Sequence, residues 1–312
     1  MTEDFDLRRH DALFASRCTA AEWERIRAFR DQPNFMAGPR RHEGTMRPFF
    51  AHNLILNKVV TEAWRFQILV FTLYLDSVRD PSVPRSGLTV ANLQRICTQL
   101  QLASPGRVYA FLNVMKFGGY LSAQRSTSDS RLVHLTPTPR FLEIVEEWND
   151  NIFASIDAAS GSDLVGEKAR FPDLGREMRT RGAEGLLVGW LPLDPFPEVF
   201  HFASTDGGWL LMEHIVLRSI TGDQQLQRGP VQLSIRSLAK QFSGSRSNLL
   251  RLLDRAYEMD LLDEPPGVNG LVRPSSRLAC AFLTFMASFL GFFEMHTKAA
   301  LAARSPELLA CD

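Results

Sequence analysis

Hydrophobic residues near the middle of the chain follow first the period of a helix and then that of a strand. Beyond Ser104 and Pro105, apolar side chains recur at the spacing of one helical face, at Val108, Phe111, Leu112 and Met115. Ser104 is placed to cap this helix and Pro105 to occupy its first position. The pair Gly118 and Gly119 predicts its end.

A second helix is predicted before this one and a hairpin after it. Thr89 caps the earlier helix, which runs to Leu100. Residues 120–124 and 132–135 predict two strands joined by a polar tip at 125–131, and another helix follows residues 137–141. Helix, turn, helix and hairpin is the order of a winged helix-turn-helix domain.

The same order returns further along the chain. A helix capped by Ser234 is predicted across residues 231–242, with a turn at Ser243 and Gly244. Residues 245–262 then align without a gap with residues 104–121, and residues 274–278 match residues 137–141. These matches predict an internal duplication of about 90 residues, which we call the first repeat (53–155) and the second repeat (208–303).

The remaining segments complete the predicted domain plan. Residues 1–52 form an N-terminal helix, which begins at a capping box on Thr19, and a basic arm at 34–50. The arm is expected to be a surface loop, with DNA contact as the alternative. A first winged-helix domain (53–159), opened by a long helical pattern from Asn53 to Val78, and a connector (160–207) follow. The second winged-helix domain with a C-terminal helix (208–312) completes the chain.

Composition limits which partners such a fold can have. The 312 residues carry no formal net charge, so any nucleic-acid site must be a local patch. The four cysteines are isolated in sequence, which indicates reduced thiols and a cytoplasmic location. Residues 278–293 form an apolar run shorter than the roughly 20 residues of a membrane span. We therefore expect a buried core helix or a homodimer interface there, and no membrane.

A local basic strip does exist. Residues 86–140 contain six Arg and Lys against one acid, Asp129. The candidate DNA-binding residues are the polar outward positions of the two recognition helices, the two serine caps and the two wing arginines: Ser104, Arg107, Tyr109, Asn113, Lys116, Arg125, Arg131, Ser245, Arg246, Ser247, Asn248, Arg251 and Arg255. Arg grips guanine or phosphate, Asn pairs with adenine, and a capping Ser sits where a helix N-terminus binds phosphate.

Other chemistries have little support in the sequence. There is no phosphate-binding glycine motif and no HExxH, and the seven His are dispersed, so we expect no catalytic residues, metal or cofactor. Glu146 and Glu147 are adjacent on a predicted helix and do not converge. Cys97 is expected to be a core residue, with a thiol sensor as the alternative. The aromatic residues of the flanking helices are expected to pack in the core, with a small-molecule effector pocket as the alternative.

The wing carries a resemblance to the MarR-like winged-helix transcription regulators. Those proteins have an Asp-x-Arg in the wing, then a strand, then Leu-Thr-x-x-Gly, and this chain has Asp129-Ser-Arg131 followed by Leu135-Thr136. Pro139 stands where the family has Gly, the strand is shorter, and the second wing (263–270) lacks the motif and carries Asp263 and Glu264, which would repel phosphate. The resemblance implies a mainly α fold with small β-hairpin wings and two repeats forming an intrachain pseudo-dimer.

The function expected from these observations is sequence-specific binding of double-stranded DNA by a transcription regulator. The first alternative is a winged-helix scaffold that binds another protein and has no DNA affinity. A plasmid replication initiator is a further alternative, but those proteins are usually strongly basic and the pI here is about 7.1.

Overall fold

The fold is mainly helical with small antiparallel sheets. The computed structural model describes residues 2–52, 62–125, 131–188, 192–222, 225–241, 245–267 and 270–308. In these residues the helices are α1 (Asp11–Ala15), α2 (Ala20–Arg30), α3 (Ala37–His52), α4 (Ala63–Ser77), α5 (Val90–Gln99), α6 (Pro105–Phe117), α7 (Pro139–Ser160), α8 (Leu164–Arg170), α9 (Leu174–Leu187), α10 (Pro197–Ala203), α11 (Gly208–Ser219), α12 (Ile235–Gln241), α13 (Arg246–Glu258) and α14 (Ser276–Leu308).

The strands are short and pair in three antiparallel groups. They are β1 (Glu3–Asp4), β2 (Leu121–Arg125), β3 (Val133–Pro137), β4 (Ile220–Thr221), β5 (Gln227–Arg228), β6 (Val231–Gln232) and β7 (Leu271–Val272). β2 pairs with β3 so that Leu121 faces Pro137, and β6 pairs with β7. β1, β5 and β4 form a small three-stranded sheet in that order.

The chain divides into two compact units, each built from three separate segments. The N-terminal unit comprises Met1–Glu62, Ala154–Ser162 and Pro192–Gly291. The central unit comprises Ala63–Phe153, Asp163–Leu191 and Phe292–Asp312. The winged-helix elements predicted for the first repeat therefore lie in the central unit, and those of the second repeat lie in the N-terminal unit.

The central unit is organised around α4, which packs against α5 and α9. Phe71 of α4 is fully buried, and Trp148 of α7 contacts the rings of Phe66 and Phe293. Burying side chains of this size supplies most of the stabilisation, at about 25 cal/mol per Å² of apolar surface. The aromatic residues of these helices thus pack as the sequence predicted.

Glu146 of α7 lies within a group of charges in the same unit. Its carboxylate is 2.9 Å from Nζ of Lys168 and 3.4 Å from Nη1 of Arg179. Burial raises the pKa of Glu146, but the hydrogen bond from Lys168 and the charge of Arg179 outweigh it and lower that pKa. Glu146 is therefore a paired structural carboxylate.

In the N-terminal unit α3 replaces the predicted surface arm. Residues 37–52 are helical, with Pro48 inside the helix, so the loop prediction for 34–50 was wrong. His42 is 3% exposed and its Nδ1 lies 2.6 Å from Oε1 of Glu213 on α11, which is itself 1% exposed. Tertiary packing against α11 therefore gives this Gly- and Pro-containing segment a buried face, which outweighs its weak helix propensity.

A second polar pair crosses the first between the same two helices. Nδ1 of His214, next to Glu213, lies 3.1 Å from Oε1 of Glu43, next to His42. Each helix thus contributes one His and one Glu in adjacent positions. Buried polar groups are costly unless they are paired, so the two pairs fix the register of α3 against α11.

The two repeats share a set of backbone hydrogen bonds after α6 and α13, the helices that the sequence predicts to contact DNA. Tyr120 donates to the carbonyl of Met115 and Thr138 donates to that of Tyr120. At the positions that the sequence alignment makes equivalent, Leu261 donates to Ala256 and Ser275 donates to Leu261. Gly119 and its counterpart Asp260 both have positive φ, of 72° and 56°. The end of each recognition helix is thus closed onto the following strands in the same way.

The side-chain contacts at these helix ends are equivalent as well. Nη1 of Arg140 lies 3.4 Å from the carbonyl of Gly118, and Nη2 of Arg277 lies 2.7 Å from that of Met259. Each arginine stands three residues after an aligned proline, Pro137 or Pro274, so the two occupy matching positions in the alignment. An arginine at a helix C-terminus satisfies a free carbonyl and complements the helix dipole.

Two other sequence predictions need correction. Residues 231–232, predicted as the start of a helix, form β6, and the helix begins after the Ser234 cap at Ile235. The return strand of the first wing is β3, which extends to Pro137. Residues 53–61 of the helix predicted from Asn53, the wing tip 126–130 with Asp129, and the turn at Ser243 and Gly244 lie outside the described residues.

The C-terminal helix is longer than its apolar run. α14 spans Ser276–Leu308, and among the described residues it is long and apolar enough over Ser276–Arg304 to cross a membrane by composition. The most apolar part of that span is 72% buried inside the protein. The predicted burial of residues 278–293 is confirmed for most of them, including Phe282 and Leu290.

We expect Glu43→Gln to weaken folding in a pH-dependent way. The hydrogen bond from His214 lowers the pKa of Glu43 below its usual value of 4.5, helped by the charges of Arg218 and Arg47 and opposed by burial. A lowered folded-state pKa stabilises the fold above the unfolded pKa, and this stabilisation is lost as pH falls through the folded value. Urea unfolding should show a loss of about 1–2 kcal/mol near pH 7 and little difference near about pH 3.

The matched control for this substitution is Glu24→Gln, which removes the same charge from an exposed position of α2. It should leave the free energy of unfolding within about 0.5 kcal/mol of the parent at both pH values. An equal loss for Glu43→Gln at both pH values would contradict the role given to the Glu43 carboxylate.

Candidate nucleic-acid interface

The helix predicted to contact DNA in the first repeat, α6, packs on its unit through one apolar face. Val108, Phe111, Leu112 and Met115 are buried, as the sequence predicted. The Ser104 hydroxyl accepts a hydrogen bond from the backbone N–H of Arg107 and caps the helix. The opposite side is therefore available to a partner.

The predicted contact residues of α6 lie on that available side. Ser104, Arg107 and Tyr109 are exposed, while Asn113 and Lys116 are half-buried. The guanidinium of Arg107 stacks over the ring of Trp64, with 5.7 Å between them. Neither Arg107 nor Lys116 forms an ion pair with another described residue, so their charges are not neutralised within the described chain.

The first wing extends the basic surface beyond the helix. Residues 122–125 of β2 are exposed, and Arg125 ends that strand opposite Val133. Arg131 is exposed just before β3. An exposed arginine therefore stands before residues 126–130 and another after them in the chain.

Not every arginine of the basic strip is available for a ligand. Arg140 reaches the carbonyl of Gly118, and its guanidinium lies 5.2 Å from the ring of Tyr120. It stabilises the helix end, a role that the sequence strip alone did not distinguish from DNA contact. Its counterpart Arg277 has the same role in the second repeat and also lies 3.6 Å from Glu198.

The second recognition helix, α13, has the same buried face and a different exposed one. Leu249, Leu252, Leu253 and Ala256 are buried. Of the predicted contact residues, Ser245, Arg246, Ser247, Arg251 and Arg255 are exposed and Asn248 is half-buried. The Ser245 hydroxyl makes no capping bond. A guanidinium nitrogen of Arg251 donates to the amide oxygen of Asn248, so the amide predicted to read adenine already uses its oxygen within the helix.

Acidic side chains alternate with these cations on α13. Asp254 and Glu258 are exposed on the outer side of the helix, and Asp260 follows its end. These acids were not part of the sequence prediction, which named only polar groups suited to DNA, although helical periodicity places Asp254 and Glu258 on the same side as the cations. They make the exposed side of α13 less favourable for phosphate than that of α6.

The second wing is less acidic than its sequence implied. Asp263 lies 2.7 Å from Nη1 of Arg228 and 3.2 Å from Nε of Arg273, and Glu3 of β1 pairs with both arginines. Asp263 is therefore balanced by neighbouring cations, whereas the exposed Glu264 forms no ion pair with another described residue. Repulsion of phosphate by the second repeat is therefore expected from Glu264 and from the acidic residues of α13.

Two exposed apolar side chains of α6, Val114 and Phe117, were not among the predicted contact residues. Phe117 is 92% exposed, Tyr109 53% and Val114 44%. Exposed apolar groups clustered on one surface usually mark an interaction site. Helical periodicity was the available signal, because it places Phe117 on the side of α6 opposite Met115 and Val114 about a quarter-turn from Met115.

No protein-family model, curated protein or solved structure matches this chain.

Among the described residues, no group of three His, Cys, Asp or Glu side chains could hold a metal ion. Cys97 is buried, and burial raises its thiol pKa to about 11, so little reactive thiolate exists near neutral pH. That favours the packing role for Cys97 over the thiol sensor.

We expect Gly119→Ala to destabilise the junction between α6 and the first wing. Gly119 has φ +72°, and a Cβ there would meet nothing within 4 Å, so the cost comes from the backbone alone. Urea unfolding should show a loss of about 1 kcal/mol.

Gly106→Ala is the matched control because it makes the same change in α6. Its Cβ also meets nothing within 4 Å, and its φ is not positive. This variant should be more stable than the parent by about 0.5–1 kcal/mol, since Ala favours helix over Gly. Effects of the same sign in the two variants would contradict the assignment of the left-handed turn to Gly119.

Proposed function

We propose that this protein is a DNA-binding transcription regulator with tandem winged helix-turn-helix domains, in which the first repeat is the principal DNA-contacting module. One observation carries the proposal: α6 and the first wing present Arg107, Lys116, Arg125 and Arg131 together on one unit. Residues 86–125 and 131–140, which are all described, contain no Asp or Glu. Such a surface attracts the phosphate backbone although the whole chain is neutral.

The arrangement of elements supports a winged helix in each repeat. In the first repeat, α4, α5, α6, β2 and β3 follow one another, and Leu135 of β3 donates a hydrogen bond to the carbonyl of Leu88 before α5. In the second repeat, α11 is followed by β4, β5 and β6 and then by α12, α13 and β7. β6 pairs with β7, and a single bridge joins Leu262 to Pro274 at the positions equivalent to the Leu121–Pro137 pair of the first hairpin. The segment before the second helix thus contacts the wing in both repeats, through one backbone hydrogen bond to Leu88 in the first and through β6 in the second, which supports the proposal.

The resemblance of the wing to MarR-like proteins supports regulation as the purpose of DNA binding. On this proposal α6 lies in the major groove, where recognition helices of this class read base edges. Arg125 and Arg131 hold the neighbouring phosphates, and the free N–H groups at the start of α6 add a further phosphate contact. A cytoplasmic location goes with this role.

A second candidate function is a scaffold that binds another protein through α6. The exposure of Phe117 favours it, because a fully exposed Phe is common at protein interfaces. The acids of α13 favour it for the second repeat. Salt dependence separates the two functions, since only phosphate binding releases many counterions.

We expect Arg125→Ala combined with Arg131→Ala to weaken DNA binding and to reduce its salt dependence. Removing two phosphate contacts should lower the slope of log K against log salt by about 2. The measurement is a fluorescence titration of labelled duplex DNA at a series of salt concentrations, with circular dichroism to verify folding.

The matched control is Arg25→Ala with Arg27→Ala, which removes two exposed arginines from α2. Both double variants lose the same charge, so only a local role for the wing predicts a difference between them. Equal slopes for parent and wing variant would remove the wing from the interface. Absence of DNA binding by the parent at low salt would overturn the proposed function.

A further inference from the structure

The outer face of α6 has a composition that its own packing does not explain. We define this face as Ala110, Asn113, Val114 and Phe117, the residues that point away from the buried side of the helix. Val114 and Phe117 are 44% and 92% exposed, and Ala110 is exposed as well. These side chains contribute little to the core, so folding alone does not require their apolar character.

The second repeat provides an internal comparison for that statement. The positions of α13 equivalent to the outer face of α6 are occupied by Arg251, Asp254, Arg255 and Glu258. All four are charged and exposed on a helix with the same buried face and the same closing hydrogen bonds. The fold therefore accepts charges at these positions, and the apolar choice in α6 reflects what α6 contacts.

The surroundings of the outer face indicate what kind of partner it meets. Arg107 and Lys116 flank it on α6, and Arg125 and Arg131 stand on the wing of the same unit. Cations beside an apolar face suit a polyanion that carries apolar groups between its charges. Duplex DNA has this character in the major groove, where the thymine C5-methyl is the apolar group and phosphates border the groove.

The residue types on the outer face match one kind of base pair. Asn pairs through its amide with N6 and N7 of adenine, and Ala and Phe make apolar contact with the thymine methyl. The Asn113 amide has no hydrogen-bond partner among the described residues. An adenine-reading amide between two methyl-contacting side chains is therefore suited to A·T pairs.

The length of the outer face limits how many base pairs it can cover. Ala110 and Phe117 are separated by seven residues, which is about 10 Å along a helix rising about 1.5 Å per residue. Base pairs stack at about 3.4 Å, so the face extends over roughly three of them. Ala110 and Phe117 would then meet the outer pairs and Asn113 the central one.

We propose that α6 recognises a run of about three A·T base pairs through the major groove, with Asn113 on adenine and Ala110, Val114 and Phe117 against thymine methyl groups. This inference rests on the proposed DNA-binding function and adds the base chemistry of its first half-site. The charged outer face of α13 is unsuited to methyl groups, so the two repeats would select different sequences.

The test begins with a pool of duplexes whose central segment is randomised. The parent protein is used to select bound duplexes, and sequencing should show about three consecutive A·T positions. A selected duplex is then made again with uracil in place of every thymine, which removes only the methyl groups. Its affinity should fall about fourfold for each methyl that is contacted, the change expected for one buried group of that size.

Two variants connect this effect to the outer face. Phe117→Ala should reduce the difference between thymine and uracil duplexes while leaving the fold intact, because that side chain is almost fully exposed. Asn113→Ala should lose about tenfold for the selected duplex and accept other bases at the central position. The control Phe200→Ala removes a 51% exposed Phe from α10 and should change neither measurement.

The remaining outcomes each overturn a different statement. Equal affinity for thymine and uracil duplexes, with selective and salt-dependent binding retained, would remove the methyl contacts and leave DNA binding in place. A Phe117→Ala variant that changes the molecular mass in solution but retains the thymine preference would assign the outer face to a protein contact. Failure to bind any duplex at low salt would overturn the proposed function and this inference together.

Discussion

The closing turn between recognition helix and wing is the constraint on which both repeats depend. One backbone N–H, from Tyr120 or Leu261, bonds back to the helix, and the carbonyl of the same residue accepts from the start of the next helix. The left-handed residue just before it, Gly119 or Asp260, makes this reversal of direction feasible. Strands, helix end and following helix are thus fixed around a single residue. The orientation of the exposed helix face follows from that.

The two repeats use this common frame to present different chemistry. In α6 the outer face is apolar with one amide, and cations surround it. In α13 the equivalent positions alternate in charge, and the nearby wing residue Asp263 is paired with Arg228 and Arg273. The buried positions of the two repeats match while their exposed positions diverge, so similar local structures present different surfaces. This divergence is why we propose unequal roles for the two repeats.

The N-terminal unit shows how polar pairing can determine a segment that lacks a strong local signal. The crossed His42–Glu213 and Glu43–His214 pairs bring two adjacent residues of α3 against two adjacent residues of α11. Misaligning the helices by one residue would leave the buried His42 and Glu213 unpaired, which costs several kcal/mol. The basic residues of this segment therefore lie on a packed helix and not on a free arm.

Much of the local structure could be predicted from the sequence, because it depends on short-range signals. The caps at Thr89 and Ser104, the buried faces of α6 and α13, and the glycine end of α6 all follow from periodicity and backbone preference within one or two turns. The backbone N–H bonds of Tyr120 and Leu261 occur at positions that the alignment of residues 104–121 with 245–262 makes equivalent. Each of these features depends on residues that are close in sequence.

The tertiary structure decided what depends on distant partners. Residues 37–52 became helical because α11 covers them, and residues 231–232 became a strand because 271–272 lie beside them. Arg140 reaches the end of α6 through a contact across 22 residues of sequence. Asp263 pairs with Arg228 through a contact across 35 residues. The exposure of Phe117 is likewise set by what does not pack against α6. Charge and hydrophobicity are properties of the sequence, but whether a group is paired, buried or available depends on neighbours that folding brings together.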